Sequence, residues 1–114
     1  MINIAVVGYG YWGPNLVRNL AEIPDANLAA VCDLNLERLK PVKLRYPQVT
    51  ITDDFDALLH DNSIDAVAIA TPVSSHFRLA MAALKAGKHV FVEKPIASSA
   101  EEAERLVDEA ARRG

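Results

Sequence analysis

One cysteine, Cys32, stands in the whole 114-residue chain. It has no partner for an internal disulfide, and no Cys/His cluster shows zinc spacing. Neither a disulfide scaffold nor a structural zinc module is encoded, and no metal ligand set is expected. Basic charge is also short. Twelve Lys and Arg against 15 Asp and Glu leave a net charge of −3, which offers no positive field to a nucleic-acid backbone. Long apolar runs are missing as well. Met1 leads straight into Ile2–Val7 with no basic segment before it, and that stretch is too short for a signal peptide or a membrane span. The expectation is a cytoplasmic protein with neither nucleic acid nor membrane as partner. Repeats, low-complexity tracts and inner linkers are absent too.

What is present is ordinary globular material, 51% hydrophobic and 24% charged. The length suits one domain, 1–114, and not two. Short runs of β-branched and small apolar residues recur at Ile2–Val7, Asn27–Cys32, Ala66–Ala70 and His89–Val92, with a weaker run at Val49–Ile51. Continuous apolar runs of this kind suit strands covered on both faces, as in parallel sheets. Between them lies helical spacing: Pro14–Ile23, Leu36–Tyr46, Phe55–His60, Ser75–Ala86 and Ser99–Arg113. Pro41 must kink or split the second of these. Asp53 or Asp54 caps the third, and Gly87 closes the fourth. Ser99 and Glu102 form a capping box for the last, and Arg112 and Arg113 sit where the helix dipole favours cations. Strands alternating with helices through right-handed crossovers make an α/β, doubly wound Rossmann sheet with expected strand order 3-2-1-4-5.

The first strand runs into Gly8-Tyr9-Gly10-Tyr11-Trp12-Gly13. In a G-x-G-x-x-G between strand and helix, the first glycine allows the tight turn. The second admits a pyrophosphate to the backbone, and the third lets the helix pack close. The second strand ends at Asp33, twenty residues beyond Gly13. A carboxylate there accepts bonds from the adenosine ribose hydroxyls and repels a 2′-phosphate, so NAD is favoured over NADP, although Arg38 stands close by in sequence. Tyr11 and Trp12 have two readings: rings shielding the nicotinamide half, or packing against another loop or domain. Beyond the fourth strand, Thr71 and Pro72 would line the cleft, with His76 in the first turn of the next helix. A histidine there is more often solvated or locally bonded than catalytic. Beyond the fifth come Glu93-Lys94-Pro95, where the proline holds Lys94 extended. Spacing alone leaves Glu93 and Lys94 a solvated turn, or Lys94 a hydrogen-bonding partner for a substrate hydroxyl.

GYGYWGPN near the start, ATPVSSH in the middle and AGKHVFVEKPIA after it together resemble the Gfo/Idh/MocA oxidoreductases, in particular the branch acting on nucleotide-linked sugars. The resemblance covers essentially the whole chain. It implies hydride transfer between a nicotinamide cofactor and a sugar, nucleotide-sugar or cyclitol hydroxyl, with Lys94 as a catalytic residue beside substrate. It also implies that Gly8, Gly10, Gly13, Asp33, Thr71, Pro72, His76 and Glu93 line the cofactor cleft. Members of that family carry a second domain supplying the substrate pocket and a proton-transfer pair. His60 and His89 do not replace that pair. The expectation is therefore an NAD(H)-binding domain whose C-terminal substrate domain is absent, with half an active site and no turnover of its own. Such a domain is also expected to form a homo-oligomer. The rival reading is a standalone NAD(H)-sensing module.

Overall fold

The apolar runs form five parallel strands in a computed structural model that describes residues 2–10, 13–92 and 100–113. The strands are β1 (Ile2–Val7), β2 (Ala26–Cys32), β3 (Thr50–Thr52), β4 (Ala66–Ile69) and β5 (His89–Val92). They lie in the order β3-β2-β1-β4-β5, the expected one. β1 is central, so both its faces and both its edges are covered. The order reverses beside it: the chain moves from β1 out to β3 on one side, then returns to start β4 on the other. Val7 pairs with Cys32 on β2 and with Ile69 on β4. The carboxyl ends of these three strands are therefore level, and Gly8, Asp33 and Ala70 leave the sheet side by side.

Alternate side chains of the central strands feed two apolar layers. On one face Ala5, Val7, Ala30, Cys32, Val67 and Ile69 meet Leu58, Leu79, Ala83 and Leu106. Those last four come from α3 (Phe55–Leu59), α4 (Val73–Lys85) and α5 (Ala100–Arg113). On the other face Val6, Leu28, Val31 and Ala68 meet Val17 of α1 (Gly13–Glu22), Val42 of α2 (Lys40–Arg45) and Leu39. The edge strands are less covered. β5 alternates, with Val90 and Val92 on the core side and Phe91 58% exposed.

Local boundaries follow the punctuation residues, with some shifts from the sequence expectations. The Leu36–Tyr46 segment splits at Pro41 into a single 3-10 turn, Leu36–Leu39, and α2, in which the proline occupies the first helical turn. There its missing N–H costs nothing. Asp54, not Asp53, caps α3, accepting from the Ala57 amide at 3.1 Å. α4 begins at Val73, two residues before the expected Ser75, because Pro72 takes the extended cap conformation and the helix follows at once. β3 lies one residue later than expected, leaving Val49 buried just ahead of it. α4 ends at Lys85 with Gly87 past its end, as expected. Lys88 next to it is buried, and its ammonium bonds the carbonyls of Asp61 and Ile64, each at 2.7 Å. It thus ties the loop before β4 to the start of β5. Ser99 lies outside the described residues. Among the described residues no helix is long and apolar enough to cross a membrane.

Ile69 is fully buried between the helical layer and the sheet, whereas Leu44 is 84% exposed on α2. Ile69→Ala should therefore cost about 2–5 kcal/mol of unfolding free energy through the cavity it leaves. Leu44→Ala should stay within about 0.5 kcal/mol. Urea denaturation followed by circular dichroism reads both, and equal costs at the two sites would contradict the layer assignment.

Candidate cofactor cleft

The glycine loop begins where β1 must leave the sheet between two neighbours. Gly8 has φ +100°, and a Cβ there would stand 2.8 Å from the Ala70 carbonyl carbon and 2.9 Å from the Thr71 methyl. Neither the torsion nor the space admits a side chain. The Gly8 amide still donates to the Cys32 carbonyl at 2.7 Å, and the Ala70 amide to Val7 at 2.8 Å. Gly13, the first residue of α1, is bare for a second reason: a Cβ would collide with the Gly8 carbonyl oxygen and touch the Tyr9 ring at 3.4 Å. Gly10 is different. It is exposed, its φ is not positive, and among the described residues a Cβ would meet only the Arg38 guanidinium, at an ordinary 3.5 Å. Among the described residues nothing in the fold demands glycine at this position.

Asp33 sits at the end of β2 with its side chain 9% exposed. Oδ2 accepts from the Tyr9 amide at 2.8 Å and Oδ1 from the Asn35 amide at 2.8 Å. The carboxylate therefore fastens the glycine loop to the β2 exit, and each oxygen keeps a further acceptor site. Arg38, on the 3-10 turn, brings Nη1 to 3.9 Å from Asp33 Oδ2 while remaining 56% exposed. Sequence reasoning noted Arg38 without placing it; only the split at Pro41 and the packing of Leu39 aim that turn back at the loop. The Tyr9 ring was missed altogether. It packs against the same buried layer as Leu16, Leu20 and Tyr46, and burial pushes its hydroxyl pKa up, with Tyr46 adding to the shift and Arg45 opposing it. Burial likewise pushes the Cys32 thiol up to about 11, helped by the nearby Asp33, Asp53 and Asp54 carboxylates. That cysteine is core packing and not a nucleophile.

Across the switch in strand order, Thr71 and Pro72 form the wall at the end of β4. The Ser75 hydroxyl lies 2.8 Å from Thr71 Oγ1 and 2.9 Å from the Pro72 carbonyl. His76 is 4% exposed, in the first turn of α4 as expected, and its Nε2 donates to the Thr71 carbonyl at 2.7 Å. It is locally bonded and not solvated. The α1 N-terminus opens on the same cleft, and its first turn carries no acidic side chain to offset the positive end of the helix.

Tyr11, Trp12, Glu93 and Lys94 lie outside the described residues. His60 and His89 are both exposed and lie away from the cleft. His60 closes α3, its Nδ1 2.8 Å from the Asp56 carbonyl, and His89 opens β5 at the amino-terminal edge. Beside His89, a cavity of about 550 Å³ is lined by Ile2, Asp65 and Lys88 among others, on the edge opposite the glycine loop. Among the described residues no three of His, Cys, Asp and Glu gather as a metal site.

Comparison with known proteins agrees with this geometry. Residues 2–114 match a family described as "Oxidoreductase family, NAD-binding Rossmann fold". Myo-inositol 2-dehydrogenase of Thermotoga maritima is 33% identical over 108 residues, 95% of this chain and 32% of that protein. The structure of GenD2 from gentamicin A biosynthesis, in complex with NAD, superposes with a TM-score of 0.93 at 31% identity, covering 99% of this chain and 32% of that one. KijD10 from Actinomadura kijaniata, a 3-ketoreductase held with NADP and TDP-benzene, gives 0.91 at 29% identity, covering 98% and 34%. The chain thus spans about a third of the length of the relatives it matches.

The three glycines separate by physical cause. Gly8→Ala and Gly13→Ala should each destabilise the fold by about 1–3 kcal/mol or more, through strain and backbone collision. Gly10→Ala should melt within a few degrees of the wild type, yet weaken NADH binding at least about tenfold, if the backbone there approaches a phosphate. Thermal melting paired with NADH fluorescence titration checks all three.

Proposed function

The chain belongs to the Gfo/Idh/MocA oxidoreductase family as an NAD-binding Rossmann domain, and from that premise we propose how its residues serve hydride transfer at a sugar-type hydroxyl. The observation that carries the reading is Gly10. It is the one glycine of the motif that the described fold leaves unexplained, and a pyrophosphate approaching the backbone supplies the reason. In this reading the α1 N-terminus and the Gly8–Gly13 loop hold the pyrophosphate. Asp33 accepts bonds from the adenosine ribose with the acceptor sites that Tyr9 and Asn35 leave over, and Thr71 and Pro72 border the nicotinamide half. Bound nicotinamide supplies a hydride acceptor or donor at C4. Lys94 hydrogen-bonds the substrate hydroxyl and orients it, and Tyr11, Trp12 and Glu93 complete the cofactor surround.

In this reading a separate substrate domain supplies the proton-accepting group, and His76, buried and bonded to Thr71, is not placed to serve as one. The substrate is a sugar, nucleotide sugar or cyclitol. Support comes from the inositol dehydrogenase and the 3-ketoreductase among the relatives. The 114 residues alone then bind cofactor without appreciable turnover.

Asp33 makes NADH the tighter ligand, and Arg38 moderates that preference by standing 3.9 Å from the same carboxylate. NADH should bind more tightly than NADPH by calorimetry. Arg38→Ala should widen the gap, since the 2′-phosphate then meets Asp33 unopposed. Asp33→Ala should weaken NADH by roughly 10- to 150-fold, the scale of a hydrogen bond to a charged group. Equal affinity for NADH and NADPH would sink the selectivity argument.

The homo-oligomer is proposed to form through β5. This strand is one of the two edges of the described sheet, and Phe91 is half-exposed on it. An edge strand carrying an exposed apolar side chain is a template for pairing with another copy. Light scattering should show a dimer or larger assembly that Phe91→Lys reduces to monomer. A wild-type monomer at high concentration would refute the proposal.

A further inference from the structure

Thr71 is the first residue past β4 and its ladder, since the Ala70 amide makes the last bond back to β1. Three contacts hold it. Its methyl abuts Gly8, its hydroxyl takes the Ser75 hydroxyl at 2.8 Å, and its carbonyl takes His76 Nε2 at 2.7 Å. The third is the unusual one. His76 is 4% exposed and lies one turn from Leu79 and Ala80, which belong to the apolar layer of α4. An apolar side chain would fill such a position without the cost of burying a polar ring, which is tolerable only when the ring is hydrogen-bonded. Among what imidazole adds over leucine is a donor that reaches five residues back to the Thr71 carbonyl.

We infer that His76 is a positioning residue for the half of the cleft beyond the pyrophosphate, acting through the Thr71–Pro72 wall. The inference rests on the cofactor reading above. A dinucleotide laid across the switch point has its adenosine at the β2 end, where Asp33 stands. Its other half then lies at the β4 end, where Thr71 stands. A wall held by His76 therefore acts on one half of the ligand and not the other. A merely structural histidine would affect both halves together.

The test compares NADH with ADP, which probes only the adenosine and pyrophosphate side, on the 114-residue chain. His76→Ala should weaken NADH about tenfold, the scale of one hydrogen bond, while ADP affinity stays within about twofold. His76→Gln should recover most of the loss, because its amide reaches as far as Nε2, whereas His76→Asn, with a shorter reach, should not. Should the alanine variant fail to fold, the glutamine and asparagine variants carry the comparison, with NADH affinity higher in the former and ADP affinity equal in both. Parallel losses of NADH and ADP, an undiminished NADH affinity in folded His76→Ala, or glutamine behaving as asparagine would each overturn the inference. A wild-type chain that binds neither ligand would instead overturn the cofactor reading itself. The two failures are thus told apart by the unmutated protein.

Discussion

The carboxylate of Asp33 ties the exit of β2 to the exit of β1, and the cleft depends on that tie. Its Oδ2 holds the Tyr9 amide and its Oδ1 the Asn35 amide, both at 2.8 Å. Without a partner, the Tyr9 amide would be a polar group in a loop whose ring is already pressed into the core. A backbone amide left unpaired in such a place costs about as much as a lost hydrogen bond. One side chain thus satisfies two loops and leaves acceptor sites for a ligand's hydroxyls. The residue that recognises ribose in the proposed reading also shapes the loop that receives the phosphates.

The strands make this tie possible by ending level. Register brings Val7, Cys32 and Ile69 to one height, so three loops start from the same edge and can touch. Gly8 fills the crowded point between them, where the Ala70 carbonyl and the Thr71 methyl leave no room for a Cβ. Gly13 then lets α1 come down against the Gly8 carbonyl, with its positive end over the same edge. The two sides of the cleft are held by unlike devices. The β2 side uses a carboxylate accepting backbone amides, and the β4 side uses an imidazole donating to a backbone carbonyl. Both fix backbone and not side chain, which keeps the lining rigid where a ligand needs fixed partners.

The opposite edge is built for cohesion. Lys88 is buried with its ammonium on two carbonyls, and the Asp65 carboxylate takes the Asn3 amide at 2.9 Å. Those bonds close the amino-terminal ends of β1, β4 and β5 with chain already present. At the carboxyl end the Asp33 carboxylate on the Tyr9 amide and His76 on the Thr71 carbonyl fix the loops individually. The proposed reading places the ligand at the end where strands finish, because there the loops diverge from the switch in strand order.

Period and punctuation alone carried the architecture. Apolar runs too continuous for a half-exposed sheet required cover on both faces, and the alternation with helices required parallel strands. Right-handed crossovers placed helices on both faces, and the order 3-2-1-4-5 was that of the doubly wound arrangement with a glycine-rich first turn. Gly8, Gly10, Gly13 and Asp33 were legible for the same reason: a strand, a glycine-rich turn and a helix are local, and a carboxylate at the next strand's end is at a countable distance. Tertiary structure decided what depends on partners far apart in the chain. The Tyr9 ring turned inward onto the apolar layer that Tyr46 and Leu20 also cover, and Tyr46 stands 37 positions further along the chain. Arg38 reached Asp33 because Pro41 broke the helix and Leu39 anchored the turn. His76 turned from a residue of open role into a clamp because Thr71, displaced from the ladder, presented a carbonyl within its reach. Spacing sets which residues share an element, but only packing chooses which donor meets which acceptor.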